Sequence, residues 1–186
     1  LRKGGMPTPA SKWTPLQQGF DHHTSIIAFD PKSGKFDVMT DVDAPRYRLV
    51  SVDPAKPAQA DWKDVIPQKD DLLQGVSTGG GNLFATYLKD ATTRFFRYNA
   101  DGSGEQAIQL PGLGTASGLG GKRDDTYSFY NFVSFTDPGS IYKYDYATGK
   151  SELYCRPERK CETAQYVTAQ VFYPSKDGTK IPMFIV

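Results

Sequence analysis

Gly75-Val-Ser77-Thr-Gly79 has the Gly-x-Ser-x-Gly spacing of a nucleophile elbow, the turn that lifts a serine hydroxyl above a sheet for attack on an acyl carbon. That chemistry needs a strand before the serine, a helix after it and a base within reach. Here the motif runs into Gly80-Gly-Asn82 and then Leu83-Phe-Ala-Thr-Tyr-Leu88, so strand, hairpin turn and strand is the favoured reading. The chain's only histidines are His22 and His23. Neighbours on a strand point to opposite faces, so this pair does not converge on one metal ion or one proton. It reads as solvated or strand-edge. Gly112-Leu-Gly114-Thr-Ala-Ser-Gly118 is as glycine-rich as a phosphate loop but lacks the Gly-Lys-Ser/Thr ending and the helix, so it reads as a connection. Asp41, Asp43, Asp70 and Asp71 sit in turn sequences, where aspartate accepts local backbone hydrogen bonds, and nothing marks an acid/base pair among them. Arg156, Arg159 and Lys160 read as a solvated basic loop.

Cys155 and Cys161 enclose Arg-Pro-Glu-Arg-Lys, a spacing that fits no common zinc pattern. Two unlinked cysteines are the favoured reading. A small-loop disulfide is the alternative, worth roughly 2 kcal/mol and confined to an oxidising compartment. The sequence therefore nominates no catalytic, cofactor-binding or metal-ligating residue. Compartment stays open between cytoplasm and periplasm.

The elements that must position any site are strands. The chain has 186 residues with 11 Tyr, 11 Phe, 18 Gly and 13 Pro, the mixture that many strands with tight turns require. Its 22 basic and 21 acidic residues give a net charge of +1 with no basic stripe, which removes the electrostatic basis for nucleic-acid binding. No apolar run approaches the roughly 18 residues of a membrane span. Leu1-Arg-Lys-Gly-Gly5 has neither a signal-peptide core nor an initiator Met, which suggests a piece of a longer protein.

Arg48-Leu-Val-Ser-Val-Asp53, Arg94-Phe-Phe-Arg-Tyr-Asn99 and Ser140-Ile-Tyr-Lys-Tyr-Asp145 are each a strand entering a turn, and their turn residues recur every 46 positions. A period in the forties with several short strands per unit predicts β-propeller blades. Three units of four strands follow: 25–29, 35–39, 47–52 and 61–66, then 73–77, 83–88, 94–98 and 105–110, then 115–119, 127–132, 141–144 and 151–155. Pro67, Pro111 and Pro157 close the outer strands in the same register. Trp13-Thr-Pro-Leu16 resembles a further outer strand, and residues 1–20 read as a linker or the end of a preceding blade. The final stretch, 170–186, is a hairpin through Ser175-Lys-Asp-Gly178 that ends on an apolar strand, as though cut. The expected fold is all-β, a partial propeller of about three antiparallel blades followed by that hairpin.

Tyr166-Val-Thr-Ala-Gln-Val-Phe-Tyr-Pro-Ser-Lys-Asp-Gly-Thr-Lys-Ile-Pro-Met-Phe-Ile-Val186 closely resembles the junction of prolyl oligopeptidases, where the propeller returns to the catalytic domain. Asp43-Ala-Pro-Arg-Tyr-Arg48, Trp62-Lys-Asp-Val-Ile-Pro67, Phe84-Ala-Thr-Tyr-Leu-Lys-Asp-Ala91 and Ser134-Phe-Thr-Asp-Pro-Gly-Ser-Ile-Tyr142 extend the resemblance. It implies a seven-bladed propeller capping an α/β-hydrolase domain whose Ser/Asp/His triad cleaves short peptides after proline. On that reading residues 21–166 are later blades, and 167–186 open the peptidase domain. The resemblance places the triad beyond Val186, so this segment is expected to be inactive alone and to gate access. Its implied partners are the peptidase domain, the missing blades and short proline-containing peptides, with no cofactor, nucleic acid or membrane. The alternative is a stand-alone propeller-like module that binds a peptide or protein.

Overall fold

The structure, a computed structural model, describes residues 14–158 and 165–186. Among these it contains fourteen strands, a 3-10 turn at Gln59–Asp61 and no α-helix. The first sheet is β1 (Thr24–Asp30), β2 (Lys35–Thr40), β3 (Arg48–Val52) and β4 (Lys63–Ile66); the second is β5 (Leu72–Gly79), β6 (Asn82–Lys89), β7 (Thr92–Asn99) and β8 (Gln106–Ile108). The third is β9 (Thr115–Ser117), β10 (Tyr127–Val133), β11 (Ser140–Asp145) and β12 (Ser151–Cys155). Strand order follows chain order in all three, with antiparallel pairing. A separate two-stranded hairpin pairs β13 (Ala169–Pro174) with β14 (Lys180–Ile185). The three four-stranded meanders predicted from the 46-residue period are all present.

Local chemistry explains the period. Asn99 and Asp145 end the third strand of their sheets, Asp53 directly follows that of the first, and all three organise the turn to the fourth. Asp145 Oδ1 accepts the N–H groups of Ala147 and Thr148, Asp53 Oδ1 accepts that of Ala55, and the Asn99 carbonyl accepts that of Gly102. The β1–β2 turn follows the same logic: Asp30 caps Lys32 and Ser33, and Gly34 takes the left-handed conformation at φ 71°. The Ser33 hydroxyl and then the Lys32 N–H stabilise the ionised Asp30, and the Thr148 N–H and hydroxyl stabilise Asp145, so both carboxylates are held below the usual Asp range.

Register then decides which side chains meet. In the second sheet Leu83 lies opposite Tyr98 and Ala85 opposite Phe96, while Phe84 lies opposite Arg97 and Thr86 opposite Phe95. Alternation sends the two sets to opposite faces, and both faces are covered. Leu83, Ala85, Tyr87 and Tyr98 pack with Met39, Leu49 and Ile66 of the first sheet. Phe84 and Phe95 pack with Ala116, Tyr130, Phe132 and Tyr144 of the third. Sheets stacked face to face in chain order are blades.

Several expectations need correction: the strand expected over 105–110 is only Gln106–Ile108, and that over 47–52 starts at Arg48 because Tyr47 is left-handed at φ 65°. Thr14–Leu16 form no strand; Leu16 packs instead on the buried Val38, Val50 and Val52 of the first sheet, while Trp13 lies outside the described residues. The strand expected over 115–119 stops at Ser117 because Gly118 turns the chain at φ 93°. The strand expected over 61–66 starts at Lys63, after the 3-10 turn.

Candidate functional site

The first strand of each sheet, β1, β5 and β9, pairs on one side only, and β1 approaches β5. In a propeller these are the strands nearest the axis, so their free edges border the opening. A meander alternates its connections between two ends. The β1–β2, β5–β6 and β9–β10 turns share one end, where the Gly80 N–H donates to the Lys122 carbonyl and Arg123 lies 3.9 Å from Asp30. The β2–β3, β6–β7 and β10–β11 connections share the other. There the hairpin rests, with the Gln170 amide on the Asp90 carbonyl and Phe184 against Phe135.

Two inter-blade junctions hold the sheets to one another. Between the first and second sheets, Lys69 leaves the β4–β5 connection and places Nζ 4.7 Å from the Phe96 ring centre, 5.3 Å from Tyr87 and 5.4 Å from Tyr98. The same ammonium donates to Tyr98 Oη at 2.8 Å and pairs with Glu105 at 2.5 Å. A cation among three ring faces is attracted by their quadrupoles as well as by the carboxylate. Burial raises the Tyr98 phenol to about 12 and pushes Tyr87 up further. Backbone joins this junction at one point, Leu73 N–H to the Arg46 carbonyl at 3.0 Å.

Between the second and third sheets the chain itself forms the clasp. Gly121 N–H donates to the Thr78 carbonyl at 2.7 Å, and Thr93 N–H to the Gly114 carbonyl at 3.0 Å. Ser77 Oγ donates to the Leu119 carbonyl at 2.5 Å, and Arg97 Nη1 to the Tyr146 carbonyl at 2.6 Å. Approach this close leaves no room for side chains. A Cβ on Gly79 would stand 2.5 Å from Tyr146 Oη and 2.9 Å from the Gly121 nitrogen.

The motif residues find structural employment. Ser77 lies inside β5, opposite Phe84, and the chain then reverses through Gly80 and Gly81 at φ 56° and 75° into β6. This is a hairpin turn, with no helix after the serine. His22 and His23 both meet Asp41, His22 Nδ1 at 3.3 Å and the His23 N–H at 2.8 Å. Asp70 lies 3.6 Å from Arg46, Asp71 lies 3.5 Å from Lys89, and Asp43 takes a left-handed turn position at φ 51°. Gly114 lies flush against Val133 and Phe132 in the β8–β9 connection. Cys155 is exposed and free; Cys161, Arg159 and Lys160 lie outside the described residues. Arg156 Nε reaches Ser140 Oγ at 3.4 Å. Among the described residues no group of three or more His, Cys, Asp or Glu could hold a metal ion, and no helix is long and apolar enough to cross a membrane.

The residues that join sheet to sheet and hairpin to sheet — Lys69, Arg97, Arg123 and Gln170 — were not singled out by motif reading. Lys69 leaves one faint signal: Tyr87, Phe96 and Tyr98 alternate on adjacent strands and so share a face.

Stacked meanders with their first strands toward a common axis define a segment of a β-propeller. Residues 3–157 match the family model of the prolyl oligopeptidase N-terminal β-propeller domain, and the chain belongs to that family. It is 42% identical over 171 residues to a prolyl endopeptidase of Elizabethkingia meningoseptica, covering 92% of this chain and 24% of that protein. It is 32% identical over 165 residues to a prolyl endopeptidase of Dictyostelium discoideum, covering 83% and 22%. A solved structure from a study of two prolyl endopeptidases superposes with a TM-score of 0.81 at 44% identity, over 91% of this chain and 25% of that one. Prolyl oligopeptidase B of Galerina marginata, bound to a 35-residue hydrolysis and macrocyclization substrate, shares the fold at TM-score 0.80 and 24% identity, over 96% and 25%. The chain thus spans about a quarter of the length of the relatives it matches.

Proposed function

We propose that this chain is the gating part of a serine-type prolyl oligopeptidase that cleaves short peptides after proline. Residues 21–166 are blades of the gate, and 167–186 are the first hairpin of the peptidase unit. The observation that carries this reading is the hairpin itself, which leaves the third sheet, breaks the blade pattern and lies across the end of the second and third sheets. The segment works by exclusion. Its strands hold an opening of fixed width, so a flexible peptide passes and a folded protein does not. Ser77 has no part in chemistry on this reading; its hydroxyl donates to the Leu119 carbonyl.

The test is to isolate the native polypeptide that carries this chain and assay it on a short proline-containing peptide and on a folded protein containing the same bond. Cleavage of the peptide alone supports the reading. No cleavage of either, or equal cleavage of both, defeats it.

One observation favours a second reading, a self-assembling binding module. The outer face of the third sheet exposes Tyr127, Phe129 and Tyr154, with Phe129 and Tyr154 4.7 Å apart. In the peptidase reading another blade covers this strip. Concentration-dependent assembly of a native protein of this size would favour the module.

A further inference from the structure

β9 is the shortest of the three first strands, and it stops before its partner does. Thr115, Ala116 and Ser117 pair with Val133, Phe132 and Asn131 of β10, and Gly118 then turns the chain away at φ 93°. β10 itself extends back to Tyr127, paired on its other side with β11. Backbone groups of an antiparallel strand face alternate sides. The Tyr146 N–H donates to the Thr126 carbonyl, so Ser128 and Tyr130 face β11, while Tyr127 and Phe129 face the side where β9 has ended. Among the described residues no backbone group pairs with Tyr127 or Phe129 on that side; the Ser128 hydroxyl lies 3.3 Å from the Phe129 carbonyl.

The gap is a cleft of about 450 Å³ between Gly118 and Gly120 on one wall and Asp124–Phe129 on the other. Toward the second sheet it is closed by Ser128, whose Oγ accepts the Gly120 N–H at 3.0 Å. Its lining holds two carboxylates, Asp124 and Asp125, and no cation. Asp125 accepts the Lys122 N–H at 2.7 Å, whereas Asp124 is exposed and makes no described ion pair. A neighbouring blade would cover the face of this sheet, where the Tyr127 and Phe129 rings stand. The cleft instead lies in the edge, in line with the strand that borders the opening.

We propose that this cleft binds an extended basic peptide, which continues the line of β9 as an added strand along Tyr127–Phe129. The inference rests on the reading that the opening passes peptides. Main-chain bonds to an exposed strand edge give affinity with little regard to sequence, and the carboxylates beside the edge supply the preference for lysine or arginine. At about 3.4 Å per residue the free edge accommodates roughly three or four residues. Proline has no N–H to offer the edge, so the bound stretch is a proline-free one beside the bond to be cut. A folded protein has its backbone groups already paired, so the edge selects the same extended chains that the opening admits. Phe129 acts here through its backbone and Asp124 through its charge.

The experiment uses the full polypeptide that carries this chain and a fluorescein-labelled peptide, Val-Lys-Val-Lys-Val-Thr, which contains no prolyl bond to cleave. Fluorescence anisotropy reads its Kd. Two further peptides carry N-methyl groups on the odd or on the even residues, and one of these binds about five-fold more weakly than the other, because only one set of N–H groups faces the edge. Phe129→Pro removes the edge N–H while sparing the pairing with β11, and weakens binding about five-fold. Norleucine in place of both lysines, or Asp124→Asn at its exposed position, weakens it about three-fold. The peptide variants and Asp124→Asn decide the matter whatever Phe129→Pro does to folding. No binding by the parent overturns the proposal, as do N-methylated sets that bind alike, a folded Phe129→Pro that binds like the parent, or norleucine and Asp124→Asn variants without effect. Cleavage of a separate prolyl peptide by the same samples is scored alongside. A parent that cleaves none defeats the peptidase reading while anisotropy still judges the cleft, and cleavage without binding of the basic peptide defeats the cleft alone.

Discussion

The two junctions of this propeller segment solve one problem by different chemistry. The first and second sheets are joined mainly through side chains, an aliphatic core around Leu49, Ile66 and Leu73 with Lys69 held among Tyr87, Phe96 and Tyr98. The second and third are joined through main chain, where carbonyls of Thr78, Lys122 and Gly114 and the hydroxyl of Ser77 bring backbones into direct contact beside an aromatic core. A side-chain junction tolerates backbone adjustment and depends on a few large groups. A main-chain junction is indifferent to most side chains and fails when any side chain is added. The same axis is thus held by one joint that senses deletion and one that senses insertion.

The most damaging change follows from the second joint. Gly79→Ala forces a methyl against the Gly121 nitrogen and Tyr146 Oη, and overpacking against backbone costs about 3 kcal/mol. For a domain of this size, thermal unfolding should fall by about 6 to 12 °C. The equivalent insertion at Gly75, whose Cβ would meet open space, should cost far less and makes the control.

The first joint breaks by subtraction. Lys69→Met keeps the aliphatic stem and deletes the ammonium, with an expected loss of about 2 kcal/mol in a denaturant titration. An unchanged midpoint would show that the three rings hold the sheets without their cation.

Alkali sharpens the contrast next. An unfolded tyrosine releases its proton near pH 10, roughly, while Tyr98 holds its own to about 12 and Tyr87 beyond that. Between those values the folded state binds more protons, so this contribution is complete below pH 10 or so and is lost as pH rises through about 12. Melting temperature should drop between pH 10 and 12, roughly, and Tyr98→Phe should flatten that drop.

The smallest effect is Ser77→Ala, which removes one hydroxyl–carbonyl bond at the second joint and costs about 1 kcal/mol. Peptide cleavage by the full polypeptide should not change. Loss of turnover with the melting temperature intact would restore Ser77 as a nucleophile.

The joints also show what a single sequence exposes. The strands and their 46-residue period were legible because turns are local: Asp53, Asn99 and Asp145 bond to N–H groups within a few positions of themselves. The false elbow at Ser77 was legible for the same reason, since Gly80 and Gly81 announce a hairpin rather than a helix. Lys69 was not, because its cage is assembled by register from β6 and β7 around a residue in a linker. Nor was the loss of a strand at Thr14–Leu16, where Leu16 answers to a distant valine cluster. Local chemistry is written along the chain; contacts between blades appear only once the sheets are stacked. The hairpin's contacts with Asp90 and Phe135 belong to that second kind.

The proposal that this chain is the gate of a larger peptidase is decided by the intact mass of the native polypeptide recognised by an antibody to this segment. A species several times the 20.6 kDa of the chain is expected. A native species near 20.6 kDa would contradict it, leaving an open propeller whose exposed third sheet packs against something else.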